Sequence, residues 1–225
     1  MRTSRYLAIA VIAATLLATP AIAQADPGTA AIDVLTYGSL GGPNVVVGDG
    51  LSATLKSGTM ARFTSTASGP TGVFCSVSNF AGTVGSNPAA GGAASGSVST
   101  LDFSSCTTNI TGVTSVLSIV VDNRPYNVSI DSPTKVATVT PGSGPIHTTI
   151  KLRTIFFTTI TCFYAATGTI TGTSSNADNS LVFTNQQFTK QTGSSSLCFA
   201  NAFWTSTYAP VVDSSQAGSP AVFVN

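Results

Sequence analysis

Apolar residues along this chain alternate with polar ones instead of recurring every three or four positions, which is the signature of strands. The clearest run is Thr149 to Tyr164. Its even positions are Ile150, Leu152, Thr154, Phe156, Thr158, Ile160, Cys162 and Tyr164, and its odd positions begin Thr149, Lys151, Arg153. The pattern predicts a half-buried strand with the even face in the core. The run is longer than an ordinary strand, so a bend or bulge is expected near Phe156-Phe157. Val73, Cys75 and Val77 share one parity, and Tyr126, Val128 and Ile130 alternate with Asn127, Ser129 and Asp131. Val116 to Val121 is apolar on both faces and is expected to be a central strand.

Turn signals separate these runs. Gly48-Asp49-Gly50 lies between Val45-Val46-Val47 and Leu51 to Leu55 and predicts a hairpin. Asp122-Asn123-Arg124-Pro125 and Pro141-Gly142-Ser143-Gly144-Pro145 predict turns between strands. Gly85 to Gly96, rich in Gly, Ala and Ser, reads as a long mobile loop. Strands at this spacing imply an all-β protein, and the expected architecture is an antiparallel β-sandwich, Ig-like or jelly-roll-like. Residues 24–225 are read as one domain, with two related halves at about 24–122 and 146–225.

The first 23 residues change the charge and the compartment. Arg2 and Arg5 precede an apolar run from Tyr6 to Thr19, then Pro20 and Ala21-Ile22-Ala23. That order is a secretory signal peptide with cleavage after Ala23, or alternatively after Ala25. The chain has nine Lys and Arg, eight Asp and no Glu. Without residues 1–23 it carries seven basic and eight acidic side chains, a net charge of −1. Sixty-three Ser and Thr take the place of charge on the wet faces. Such a surface excludes a nucleic-acid partner, which needs a basic patch, and a helical bundle, which needs charged exteriors. No later segment is long and apolar enough to span a membrane as a helix. The expected location is secreted, extracellular or associated with the cell surface.

Four cysteines behind a signal peptide argue for two disulfides. The order Cys, Gly-Thr-apolar strand, Gly, Asn turn, Leu-x-Phe strand, Cys occurs twice. It runs once from Cys75 through Leu101-Asp102-Phe103 to Cys106, and again from Cys162 through Leu181-Val182-Phe183 to Cys198. This echo pairs Cys75 with Cys106 and Cys162 with Cys198, each bond stapling a small hairpin unit.

Candidate chemistry is sparse. The only His is His147, no Gly-x-Ser-x-Gly elbow surrounds a serine, and scattered Asp residues in turn-like settings do not form a glycosidase pair. No catalytic residue, metal site or cofactor is expected. Asn176-Ala177-Asp178-Asn179 clusters oxygen ligands but reads as an ordinary turn rather than a calcium site. The ladder Thr167, Thr169, Thr171 and Thr173 reads as a wet strand face. Among Phe199, Phe203, Trp204 and Tyr208, the pair Trp204 and Tyr208 shares the parity of Cys198. That pair is either core packing beside a disulfide or a ligand-binding patch.

Two stretches carry a resemblance. Val121-Asp122-Asn123-Arg124-Pro125-Tyr126 is one. The other starts at Leu181-Val182-Phe183-Thr184-Asn185-Gln186-Gln187-Phe188-Thr189-Lys190 and continues through Leu197 to Asn201 and from Tyr208 to Val211. With the four cysteines, they resemble a family of small secreted actinobacterial proteins known mainly by their export signal. The resemblance implies secretion and a β-sandwich but no activity. This chain lacks the adjacent arginines of a twin-arginine signal. The paired cysteines and the Leu181 to Asn185 stretch are also similar in layout to secreted proteins named as activators of alkane oxidation. That similarity implies a surface or matrix role near hydrophobic material. The resulting expectation is a non-enzymatic secreted protein acting at the cell surface or in the extracellular matrix. The alternative is an extracellular binding module for polysaccharide or an apolar ligand that uses Trp204 and Tyr208.

Overall fold

A computed structural model describes residues 31–225; the expected signal peptide and its cleavage site lie outside the described residues. These residues contain fifteen strands and no helix. In chain order they are β1 (Leu35–Tyr37), β2 (Gly50–Thr54), β3 (Ala61–Thr64), β4 (Gly72–Ser86), β5 (Ala93–Thr108), β6 (Val113–Asp122), β7 (Tyr126–Asp131), β8 (Val136–Thr140), β9 (His147–Thr154), β10 (Thr159–Ala166), β11 (Ile170–Ser175), β12 (Ser180–Lys190), β13 (Asn201–Tyr208), β14 (Val212–Asp213) and β15 (Val222–Val224). Every pairing between them is antiparallel.

Eight strands form a ring in the order β11, β8, β7, β5, β4, β3, β13, β12, and β12 pairs back onto β11. The expected sandwich is therefore a closed barrel with an extension. Long strands make closure possible because each can serve different neighbours along its length. The first residues of β4 pair with β3 and its later ones with β2. Likewise β12 pairs with β11 through Ser180 to Phe183 and with β10 through Phe188 to Lys190. Register shifts between Ala81 and Gly82, Val84 and Ser86, and Phe183 and Gln186 add the local bending that rolls a sheet onto itself. Beyond β10 the sheet continues through β9 to β6.

The run from Thr149 to Tyr164 is two strands. Within the strands the even positions Ile150, Leu152, Thr154, Ile160, Cys162 and Tyr164 are buried as expected, but the bend at Phe156-Phe157 is a full reversal, and Phe156, Phe157 and Thr158 are exposed there instead of keeping the alternation. The apolar stretch from Val116 to Val121 is corrected from a central strand to an edge. β6 pairs only with β9, with Ile119 and Val121 inward and Leu117 and Val120 outward. Two register shifts along β6 kink this edge, a common protection against further pairing. Val77 also departs from the expected parity. Val73 and Cys75 point inward, but the inward positions then become Ser78 and Phe80. The change falls where the partner residue Ser105 takes a left-handed φ of 51°.

Gly48-Asp49-Gly50 forms a turn, with the Val46 amide donating to Asp49 Oδ2, but Val45 to Val47 is not a strand. The expected loop from Gly85 to Gly96 is mostly hairpin, because β4 runs to Ser86 and β5 begins at Ala93.

Both disulfides have the expected pairing. Cys75 and Cys106 face each other across the β4–β5 ladder. Cys162 on β10 is joined to Cys198 in the connection between β12 and β13, so this second bond reaches across the sheet rather than closing one hairpin.

The main core lies within the barrel and under β9 and β10. A smaller apolar cluster contains Val34, Leu35, Val45, Val84, Ala94, Val222 and Val224. It joins the β1–β15 ribbon to the barrel end where the β4–β5, β7–β8 and β11–β12 turns gather. Asn side chains from those turns hold the ribbon. Asn87 accepts from the Leu35 amide and donates to the carbonyls of Leu35 and Val45. Asn176 pairs with both backbone groups of Val224, and Asn179 donates to the Val222 carbonyl.

Candidate ligand-binding cavity

Alternation puts every second side chain of the ring inside the barrel, and those side chains do not fill it. They leave a cavity of about 170 Å³, lined almost entirely by apolar atoms. An engineered protein cavity of about 150 Å³ with a similar lining stays dry and takes up benzene, so this volume suits a small ring or a short branched chain.

Aromatic rings form one wall. Phe183 stacks on Trp204 with centroids 4.8 Å apart, and Phe103 meets Trp204 edge-on at 6.3 Å. Phe63 packs edge-on against Phe103 at 5.0 Å. The Phe183 ring lies over Gly172, where a Cβ would come within 2.8 Å of it, so glycine there is what allows the ring its position. Trp204 is 4% exposed, yet its Nε1–H has no acceptor among the described residues. A buried donor in that state is costly, and an acceptor brought by a guest would satisfy it.

Tyr208 is fully buried and meets Phe80 edge-on at 5.2 Å. Its hydroxyl shares a 2.9 Å hydrogen bond with Ser78 Oγ. Burial pushes its pKa up to about 12, so it stays neutral. The aromatic pair singled out in the sequence thus lies in the cavity wall, and neither ring forms a surface platform. Leu35, Val222 and Val224 of the ribbon complete the lining at one end.

Phe63, Phe103 and Phe183 also form this wall, though they are not among the candidate binding residues read from the sequence. A signal for two of them was present in the repeated Leu-x-Phe, since Leu101, Phe103, Leu181 and Phe183 all line the cavity. Phe199 and Phe203 are partly exposed and lie outside this wall.

The polar side chains His147, Asn176 and Asn179 also touch the lining, and each is held by hydrogen bonds within the protein. His147 Nδ1 lies 2.7 Å from Asp122 Oδ2, which also accepts from Thr149 Oγ1 at 2.8 Å, and the imidazole stacks on Phe163. A His–Asp pair is two parts of a hydrolytic triad, but no Ser or Thr hydroxyl bonds the other ring nitrogen among the described residues. Asn176 and Asn179 are committed to the ribbon, and Asp178 forms an ion pair with Lys56 at 2.8 Å. No group of three metal-ligating side chains occurs among the described residues. No family model, characterised protein or solved structure matches the chain.

Proposed function

We propose that this is a secreted, non-catalytic binding protein that holds one small, mainly apolar molecule inside its barrel, at the cell surface or in the surrounding matrix. The observation that carries the reading is the 170 Å³ apolar cavity with the unpaired Trp204 N–H in its wall. Eight-stranded barrels are wide enough to hold one small ligand. Formed disulfides fit an oxidising compartment, and no helix among the described residues is long and apolar enough to cross a membrane. A polysaccharide platform built on Trp204 and Tyr208 finds no support, because both rings are inside.

Trp204 is the only tryptophan, so its fluorescence reports directly on the site. Titration with acetophenone, an apolar ring bearing one acceptor, is expected to change the emission saturably. It is expected to bind more tightly than benzene, by roughly the fivefold that about 1 kcal/mol of hydrogen bonding provides. Ala137 is buried in the lining. Ala137→Leu extends a side chain into the void and is expected to abolish the change while leaving the fold intact. No saturable response to either probe, or an undiminished one in Ala137→Leu, refutes the reading.

A further inference from the structure

The turn from β9 to β10 exposes Ile155, Phe156 and Phe157 together, the two phenylalanines at 78% and 79%. Large apolar side chains grouped at a projecting apex are uncommon on a free surface and mark contact sites. Phe157 also adopts a left-handed φ of 61°, a conformation that bulky residues avoid unless something requires it.

The backbone of this apex is prepared for a dry environment. The amide of Ile155 donates to the Gly112 carbonyl at 3.0 Å, and that of Phe157 to the Thr154 carbonyl at 3.0 Å. Those of Phe156 and Thr158 donate to Thr154 Oγ1 at 3.2 and 3.3 Å. Every N–H of the turn therefore has an acceptor within the protein, which lets it leave water without stranding a donor.

The charges point the same way. Of the seven basic side chains in the described residues, five are engaged. Lys56 pairs with Asp178 and Arg124 with Asp102, while Lys135 and Lys190 donate to the carbonyls of Val224 and Cys198. Arg62 lies over the Phe74 ring. The remaining two, Lys151 and Arg153, occupy the outward face of β9 directly behind the apex. They pair laterally with Thr161 and Thr159 on β10 and with Ser118 and Ser115 on β6, and residues 147–166 contain no acid.

We infer that the β9–β10 apex inserts Ile155, Phe156 and Phe157 into the interfacial layer of an anionic lipid bilayer, with Lys151 and Arg153 set against the headgroups. A convex tip of three side chains is too small for a stable interface with a second protein, which takes about 800 Å² from each partner. A bilayer accepts a point of any shape. Apolar insertion backed by basic residues is the usual division of labour at such surfaces.

The test is co-sedimentation of the protein with vesicles of phosphatidylcholine, with and without phosphatidylglycerol. Binding is expected to the anionic vesicles and to weaken with salt. Phe156→Ser combined with Phe157→Asn, which suits the left-handed φ, is expected to reduce it by at least about tenfold. Lys151→Gln with Arg153→Gln is expected to reduce it severalfold on anionic vesicles only. A Phe156→Trp variant is expected to shift its emission to shorter wavelength when vesicles are added. Three results overturn the inference: no binding by the parent protein, undiminished binding by a folded double-phenylalanine variant, or self-association that the same variant abolishes.

Discussion

Asp213 shows how a single side chain in this fold is set by its surroundings. It lies on β14, fully buried, with Oδ1 accepting from the Ser215 amide at 3.0 Å and Oδ2 without any donor. Burial raises its pKa, and the nearby Asp49 carboxylate raises it further. A carboxyl whose folded pKa is raised contributes stability below its unfolded value. That contribution is lost as pH rises through the folded value, so at neutral pH the group is a burden. Asp213→Asn keeps the acceptor for Ser215 and gives Oδ2's replacement a hydrogen to offer Asp49. It is expected to stabilise the protein at neutral pH by about 1–3 kcal/mol, the usual cost of a buried polar atom without a partner. In acid the gain is expected to disappear. Urea denaturation at the two pH values measures both effects, and destabilisation at neutral pH would show that the charged form is required. Nothing in the sequence set Asp213 apart from the other aspartates, because its burial depends on a pairing with β2 that is remote along the chain. The inward parity of Ile150, Leu152, Ile160, Cys162 and Tyr164, by contrast, was legible from alternation alone.

At the scale of elements, strands and turns were readable where the local pattern was self-sufficient, and unreadable where a neighbour decided. The turns at Asp122 to Pro125 and Pro141 to Pro145 occur as expected. Val116 to Val121 is apolar on both faces yet forms an edge, since alternation says nothing about how many partners a strand finds. The ribbon of β1 and β15 was illegible for a related reason: both strands are only three residues long, and their attachment rests on Asn side chains far away in sequence. Asn87 alone provides three of these bonds, to Leu35 and Val45. Asn87→Ala leaves those backbone groups to find water or remain unpaired. It is expected to cost about 1–3 kcal/mol and to speed hydrogen exchange at Leu35 and its ribbon neighbours, while the barrel amides of β4 and β5 stay protected. Uniform acceleration across the molecule would mean that ribbon and barrel unfold as one cooperative unit.

Whole-molecule closure is the feature that period-two alternation cannot encode, because a sandwich and a barrel place the same residues inward. Here closure depends on the β11–β12 and β3–β13 pairings, and the latter joins residues well over a hundred positions apart. The two disulfides stand in different relations to that ring. Their sequence separations of 31 and 36 residues give nearly equal loop entropies, roughly 3–4 kcal/mol each in the chain-entropy account. Cys75–Cys106 lies in the ring wall, linking two strands already paired along their length. Cys162 belongs to β10, outside the ring, so its bond to Cys198 fastens the β10–β9–β6 extension to the connection that leads into β13. Replacing Cys162 and Cys198 by Ala is therefore expected to lower the unfolding free energy by a few kcal/mol and to increase exchange in β9 and β10. Acetophenone binding in the barrel should persist at temperatures where the variant remains folded. If the double variant loses cavity binding while its β4 and β5 amides remain protected, the extension shapes the cavity as well as the ring, and the site must be assigned to the whole sheet.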